Sequence, residues 1–166
     1  GAYPGIDGEQ HGIGHAIAFN IREMARLRVP VISIVTGEAS SGGALGIGIA
    51  NRIYLMEHAL YTVISPEGCA SILWRSAEYA SQAAKALKIT AKDLLENGII
   101  DGMITEPTGG AHYDPDYAGR QMAQTIQMAL AELSGLDGNA LVQDRYHKFR
   151  SIGTFFEEAS VSTASV

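Results

Sequence analysis

The stretch Val31 to Ala50, VISIVTGEASSGGALGIGIA, limits what this chain can fold into more than any other. It opens on Val31-Ile32-Ser33-Ile34-Val35, too short a run for a typical globular helix and rich in β-formers. That pattern predicts a strand buried on both faces. The run breaks into Gly37-Glu38-Ala39-Ser40-Ser41-Gly42-Gly43 and resumes as a small, apolar segment, Ala44 to Ala50, read as a buried helix. A strand, a Gly/Ser turn and a helix start form a physical device. The first helical N–H groups have no intrahelical partner, and the helix dipole places partial positive charge there. Glycines remove the Cβ atoms that would hold a ligand off the backbone. An oxyanion or polarised carbonyl can sit against Gly42 and Gly43 and accept backbone hydrogen bonds. The competing reading is a glycine-rich turn that only lets a helix pack tightly. The turn alone leaves both open.

With 166 residues, 46% of them apolar and 18% charged, the chain is expected to form one globular domain with a real core. A net charge of −6 offers no basic footprint, which argues against nucleic acid and anionic membrane as partners. No apolar run reaches the length of a membrane span and no signal peptide opens the sequence, so an intracellular protein is expected. The single cysteine, Cys69, excludes an internal disulfide and a CxxC metal site. Gly1-Ala2-Tyr3-Pro4-Gly5 is already a turn sequence, which leads to the expectation that more chain precedes Gly1.

Taken in order, Asp7 with Gln10 suits an N-cap with a reciprocal partner. Ile13, Ile17, Ile21 and Met24 then make one apolar stripe of a helix running to about Arg28, stopped by Pro30. Strands are expected at Arg52–Met56, Leu60–Ile64 and Ile99–Thr105. Helices are expected from Ser65-Pro66-Glu67 to Trp74, from Ser76 to Leu87, from Thr90 to a stop at Gly98, and from Pro115 to Leu133. The chain from Gly135 reads as a polar linker, a basic-aromatic patch (Arg145 to Arg150) and a weakly structured tail after Gly153. Strands alternating with helices predict an α/β domain with mainly parallel pairing.

Several residues invite chemical readings. His11 and His15 lie four apart on the expected first helix, yet Gly-Ile-Gly between them supplies no base and no third ligand is obvious. They read as solvent-side or interface histidines, with no metal. Cys69 follows a helix start, which lowers a thiol pKa, but a small buried apolar role fits it better. Ser41 sits in a turn resembling the nucleophile turn of Clp-type serine peptidases. Those enzymes need a histidine two strands on, and here Ser65 stands in that place, so Ser41 has no base to activate it. Hydratases of the crotonase superfamily use two glutamates. Pro66-Glu67 matches the second, while the first falls among Gly43-Ala44-Leu45-Gly46 and finds no carboxylate. The turn survives both comparisons and the proton-transfer residues do not. Such a site suits a chemistry that needs carbonyl polarisation more than a side-chain base.

Within the same superfamily the sequence resembles the carboxyltransferase α subunits of acetyl-CoA carboxylase. The resemblance runs to about Gly153. It is carried by Gly1-Ala2-Tyr3-Pro4-Gly5, Ile21-Arg22-Glu23-Met24, Gly37-Glu38 with Ser41-Gly42-Gly43-Ala44-Leu45, and Val63 to Trp74. Leu87 to Ala91, Glu106-Pro107 with Gly109-Gly110-Ala111-His112, and Arg145-Tyr146 with Lys148-Phe149-Arg150 complete it. The resemblance implies a crotonase-like (ClpP/crotonase) α/β fold, a ββα spiral incomplete at its N-terminus. Residues 1–153 would be the C-terminal part of the carboxyltransferase domain and 154–166 a flexible tail. It implies transfer of a carboxyl group from carboxybiotin, borne on a biotin carboxyl carrier protein, to acetyl-CoA, giving malonyl-CoA for fatty acid synthesis. A β subunit would supply most of the CoA side and carry the only zinc, in an α2β2 assembly in the cytoplasm or plastid stroma. By position, Gly42 and Gly43 would donate to the biotin ureido oxygen, with Pro4, Gly5 and Ala44 lining the same pocket. The turn is expected to face that site rather than the core. Two rival readings are an inactive fragment that only binds partners, and a subunit of another biotin-dependent acyl-CoA carboxylase or decarboxylase. No role is assigned to His112.

Overall fold

The computed structural model describes residues 5–153. Pro4 and the expected tail, 154–166, lie outside the described residues. Helices α1 (Ile6–Gln10) and α2 (Ile13–Arg26) lead into strands β1 (Ile32–Val35) and β2 (Glu38–Ser40) and helix α3 (Ser41–Gly48). The same order then repeats as β3 (Arg52–Met56), β4 (Leu60–Thr62) and α4 (Pro66–Trp74). A 3₁₀ turn (Ala77–Tyr79), α5 (Ala80–Leu87), α6 (Ala91–Glu96), β5 (Gly102–Ile104), α7 (Pro115–Leu133) and α8 (Gly138–Ser151) complete the fold.

Two consecutive strand–strand–helix units lie in register. β1 pairs with β3 in parallel, Ile32 opposite Arg52 and Val35 opposite Leu55. β2 pairs with β4 in parallel, Glu38 opposite Leu60, Ala39 opposite Tyr61, Ser40 opposite Thr62. β5 adds to β3, giving one three-stranded sheet and one two-stranded sheet. Each unit therefore places its first strand in one sheet and its second in the other, which is the ββα repeat. The core follows the central strand β3, where Ile53, Leu55 and Met56 are buried, with Val35, Leu94, Ile100 and Ile104 packed around them.

Several expectations need correction. The first helix is two, because Gly12 adopts φ 76° and breaks it; α1 is capped by Gly5 with no side-chain bond, not by Asp7. β1 is fully buried on one face only, Ser33 and Val35 turning inward while Ile32 and Ile34 are half-buried on the other. Glu38 to Ser40 is a strand rather than part of a turn, since β4 offers its backbone as a partner. α3 begins at Ser41 and buries its small residues, Ala44, Gly46 and Gly48, while Leu45 and Ile47 face outward. Cys69 is half-buried.

The largest departure is α8. Its start is set by Asp137, whose carboxylate accepts from Asn139 and Ala140 N–H at 2.8 Å each. Its inward positions are Leu141, Arg145 and Phe149, spaced i, i+4, i+8. An arginine at the middle of that stripe hides the helical period from a hydrophobicity reading.

Candidate functional site

The site is built from β2, the first turn of α3, and β4. Ser40 ends β2 in an extended conformation (φ −138°, ψ 153°) and serves as the N-cap of α3, yet its side chain makes no capping bond. Ser41 follows with φ 58°, a left-handed conformation that costs a non-glycine residue roughly 1 kcal/mol or more. This sharp entry swings the chain from strand to helix in one residue. Gly42 and Gly43 then occupy the first turn, where backbone N–H groups have no acceptor inside the helix, and Ala44 follows them. With Ser40 not capping, the donors of Gly42 and Gly43 remain available to a ligand.

Helix α2 lies across α3. A Cβ on Gly42 would come 2.9 Å from the Cδ1 of Ile17, so the missing side chain at Gly42 makes room for α2. The expectation that this turn faces only the site is thereby corrected at Gly42, where the packing reading holds. The packing role leaves the backbone donor in place: the Cα of Gly42 faces a neighbouring helix while its N–H lies at the helix start.

On the other side stands Tyr61. The β2–β4 register sets it opposite Ala39, and its hydroxyl donates to the Ala44 carbonyl oxygen at 3.0 Å. A Cβ on Gly48 would lie 2.3 Å from that hydroxyl oxygen, so the phenol tip fills the notch that Gly48 leaves. Burial raises the Tyr61 pKa, which keeps the phenol protonated and donating at neutral pH. A cavity of about 220 Å³ opens beside this helix start, walled by Ser41, Ala44, Leu45, Tyr61, Val63 and Ile89 among others. None of its described lining residues is a histidine or a carboxylate. A second cleft, about 330 Å³, runs past Ser40 between Glu38 and Glu67.

Of the remaining sequence candidates, Ser65 and Glu67 line the second cleft and the others fall elsewhere. Ser65 is the N-cap of α4 and its hydroxyl accepts from Gly68 N–H at 3.1 Å, which is a structural duty. Glu67 is exposed in the first turn of the same helix. His11 is the C-cap of α1 and His15 lies on α2, because Gly12 separates the two helices. His11 Nδ1 lies 2.7 Å from the Asp7 carbonyl oxygen, and the ring of His15 lies 6.2 Å from that of Phe19. Among the described residues no three His, Cys, Asp or Glu side chains gather as a metal site. His112 lies in the loop after β5, against Tyr113 at 4.6 Å between ring centroids. Gly5 opens α1 and its carbonyl accepts from Glu9 N–H at 3.0 Å. Tyr61 was missed by sequence reasoning. Its only signal is a strand tyrosine two residues before Val63, which says nothing about its partner on α3.

Comparison with known proteins gives these geometries a context. The chain is 53% identical over 157 residues to the acetyl-coenzyme A carboxylase carboxyl transferase subunit alpha of Thermus thermophilus, covering 95% of this chain and 50% of that one. It is 52% identical over 160 residues to the subunit of the same name from Synechococcus sp. strain CC9311, covering 96% and 49%. The chain thus spans about half the length of the curated relatives it matches. Among solved structures, a Pseudomonas malonate decarboxylase hetero-tetramer in complex with coenzyme A superposes with a TM-score of 0.66 at 22% identity, over 89% of this chain and 59% of that one. An enoyl-CoA hydratase/isomerase from Marinobacter aquaeolei superposes with a TM-score of 0.52 at 17% identity, over 91% and 56%. These distant likenesses show the fold, the crotonase-like α/β arrangement expected from the sequence. The family model described as acetyl co-enzyme A carboxylase carboxyltransferase-like matches residues 1–153. Matched over that length and more than half identical to two of its α subunits, the chain belongs to the acetyl-CoA carboxylase carboxyltransferase-like family.

Proposed function

We propose that this chain is the biotin-side subunit of an acetyl-CoA carboxylase carboxyltransferase, which moves a carboxyl group from carboxybiotin on a carrier protein to acetyl-CoA. The observation that carries the reading is the first turn of α3, which the Ser40 side chain leaves uncapped, in a chain 53% identical to a named α subunit. Carboxybiotin supplies an activated carboxylate whose release leaves negative charge on the ureido group. The residues present fit such a group. Gly42 and Gly43 offer two backbone N–H donors with no intrahelical acceptor, and the helix dipole adds to their pull on a developing oxyanion. These donors are fixed before the reaction, so they stabilise the charged transition state without reorganising. Ala44 extends the same turn, and residues 1–153 act as the C-terminal part of the carboxyltransferase domain. The chain's partners in this reading are a β subunit, which brings the CoA side and a zinc ribbon, and a biotin carboxyl carrier protein, in an α2β2 assembly. The cytoplasm is the compartment that belongs to this reading. No described helix is long and apolar enough to cross a membrane.

Gly43 is the position that tests this, because Gly42 is also needed by Ile17. In the chain carrying this sequence, assembled with its β subunit, Gly43→Val should lower malonyl-CoA decarboxylation with free biotin as acceptor by on the order of a hundredfold or more. Size-exclusion chromatography should show the complex intact. Turnover within a few-fold of the parent would remove the donors from the mechanism, and failure to assemble would make the glycine structural.

A further inference from the structure

Tyr61 stands outside the residues that touch substrate in this reading, yet a hydrogen-bonded path connects it to one of the two donors. Its hydroxyl donates to the Ala44 carbonyl oxygen. The peptide unit that holds this carbonyl also holds the Leu45 N–H, which in the α-helix donates to the Ser41 carbonyl four residues back. The Ser41 carbonyl in turn shares its peptide unit with the Gly42 N–H. Each bond that pulls density toward a carbonyl oxygen makes the N–H of the same peptide unit a stronger donor, by roughly 10–30% per bond. We infer that Tyr61 is a positioning residue for carboxyl transfer: its phenol holds α3 at Ala44 and, through Leu45 and Ser41, strengthens the Gly42 N–H as a donor.

Three features set this bond apart from ordinary packing. The Ala44 carbonyl already accepts the Gly48 N–H within the helix, so the phenol is a second donor that the fold does not need for satisfaction. Gly48 keeps the notch open, since any Cβ there would sit 2.3 Å from the hydroxyl oxygen. α2 presses on the same turn from the far side through Ile17. The turn is thus clamped between a methyl group and a hydroxyl. Only the hydroxyl carries polarity into it.

The inference rests on the proposed use of Gly42 as a donor, so the experiment reads the path and the reaction separately. In the assembled enzyme, residue 61 is varied through Tyr, 3-fluorotyrosine (a stronger donor of the same shape) and Phe. Tyr61→Phe should fold and assemble, because Ala44 keeps its helical bond. Its kcat should fall by no more than about twofold, the share of an oxyanion donor's weight that two relayed steps of roughly 10–30% carry, with KM for the acyl-CoA unchanged. 3-Fluorotyrosine should restore kcat to the parent value or above it. Gly48→Ala, which displaces the hydroxyl without removing it, should reproduce the Phe result. In ¹⁵N–¹H spectra of the isotope-labelled chain, the Gly42 amide proton should move upfield in Tyr61→Phe, with or without turnover. An unmoved Gly42 amide, or a kcat that falls in Tyr61→Phe and does not recover with 3-fluorotyrosine, overturns the role of Tyr61. An amide that moves while kcat holds keeps the path and instead removes Gly42 from the reaction.

Discussion

Two regions of the molecule handle their polar groups in opposite ways. Around Arg145, which is 1% exposed, nearly every donor has an acceptor: Nη1 binds the carbonyls of Ala25 and Leu27, and Nη2 those of Val29 and the Asn51 side chain. Only Nε lacks a partner. Asn51, fully buried, receives Val31 N–H and Arg145 on its oxygen, and its nitrogen donates to the Leu141 carbonyl and to Asp144. This knot ties α8 to the end of α2 and the start of β3. At the first turn of α3 the reverse holds: Ser40 does not cap, Ser41 sits in a strained conformation, and glycines expose the backbone. The lesson is that satisfied polar groups mark scaffold here, while the turn combines backbone strain with free donors, the arrangement on which the proposed site rests.

The largest effect should come from breaking the knot. Arg145→Leu leaves three backbone carbonyls and the Asn51 oxygen without that donor. The expected loss is roughly 3–5 kcal/mol, read as a lower urea midpoint at an unchanged slope. A loss under about 1 kcal/mol would show that α8 is held by its apolar contacts instead. Burial pushes the Arg145 pKa down from its ordinary value, with Asp144 opposing it, but the guanidinium stays charged throughout the accessible range, so this effect should not depend on pH.

The turn should respond in the other direction. Ser41→Gly removes the cost of φ 58°, while the unfolded chain gains freedom, and the balance at a left-handed position favours glycine by about 0.5–1 kcal/mol. The variant should therefore unfold at slightly higher urea. A clear decrease would mean that the Ser41 side chain holds the turn, and the contrast between the two regions would fail there.

The smallest expected effect lies at the rim of the knot. Arg52 hydrogen-bonds Glu132 and Asp144, and the guanidinium holds the Glu132 carboxyl below its ordinary value. A depressed carboxyl contributes stability that is present above the unfolded pKa, near 4.5, and disappears as pH falls through the lower folded value. Because Glu132 is 56% exposed, water and salt screen the pair, and the contribution should be no more than about a few tenths of a kcal/mol. Glu132→Gln should flatten the stability profile slightly below about pH 4.5 and leave it unchanged once the carboxyl is protonated in both states. A large change at neutral pH would place Glu132 inside the knot rather than at its edge.

The sequence by itself determined the parallel α/β plan, because branched apolar runs of strand length alternate with capped helices. It set β3 at Arg52–Met56, α4 at Pro66–Trp74 and α7 at Pro115–Leu133, where proline at the first helical turn and strong apolar runs leave little choice. It also singled out Gly42 and Gly43, since a strand followed by Ser-Ser-Gly-Gly and a small-residue helix is readable as a local device. Tertiary structure decided the rest. Glu38–Ser40 became a strand only because β4 arrives to pair with it, and α8 was hidden because its central inward residue is an arginine whose acceptors come from residues 25, 27, 29 and 51. The dual duty of Gly42 joins it to Ile17, and the bond from Tyr61 reaches back to Ala44, each across many positions of chain. No local pattern encodes such contacts, because they depend on which surfaces the fold brings within hydrogen-bond or van der Waals reach of one another.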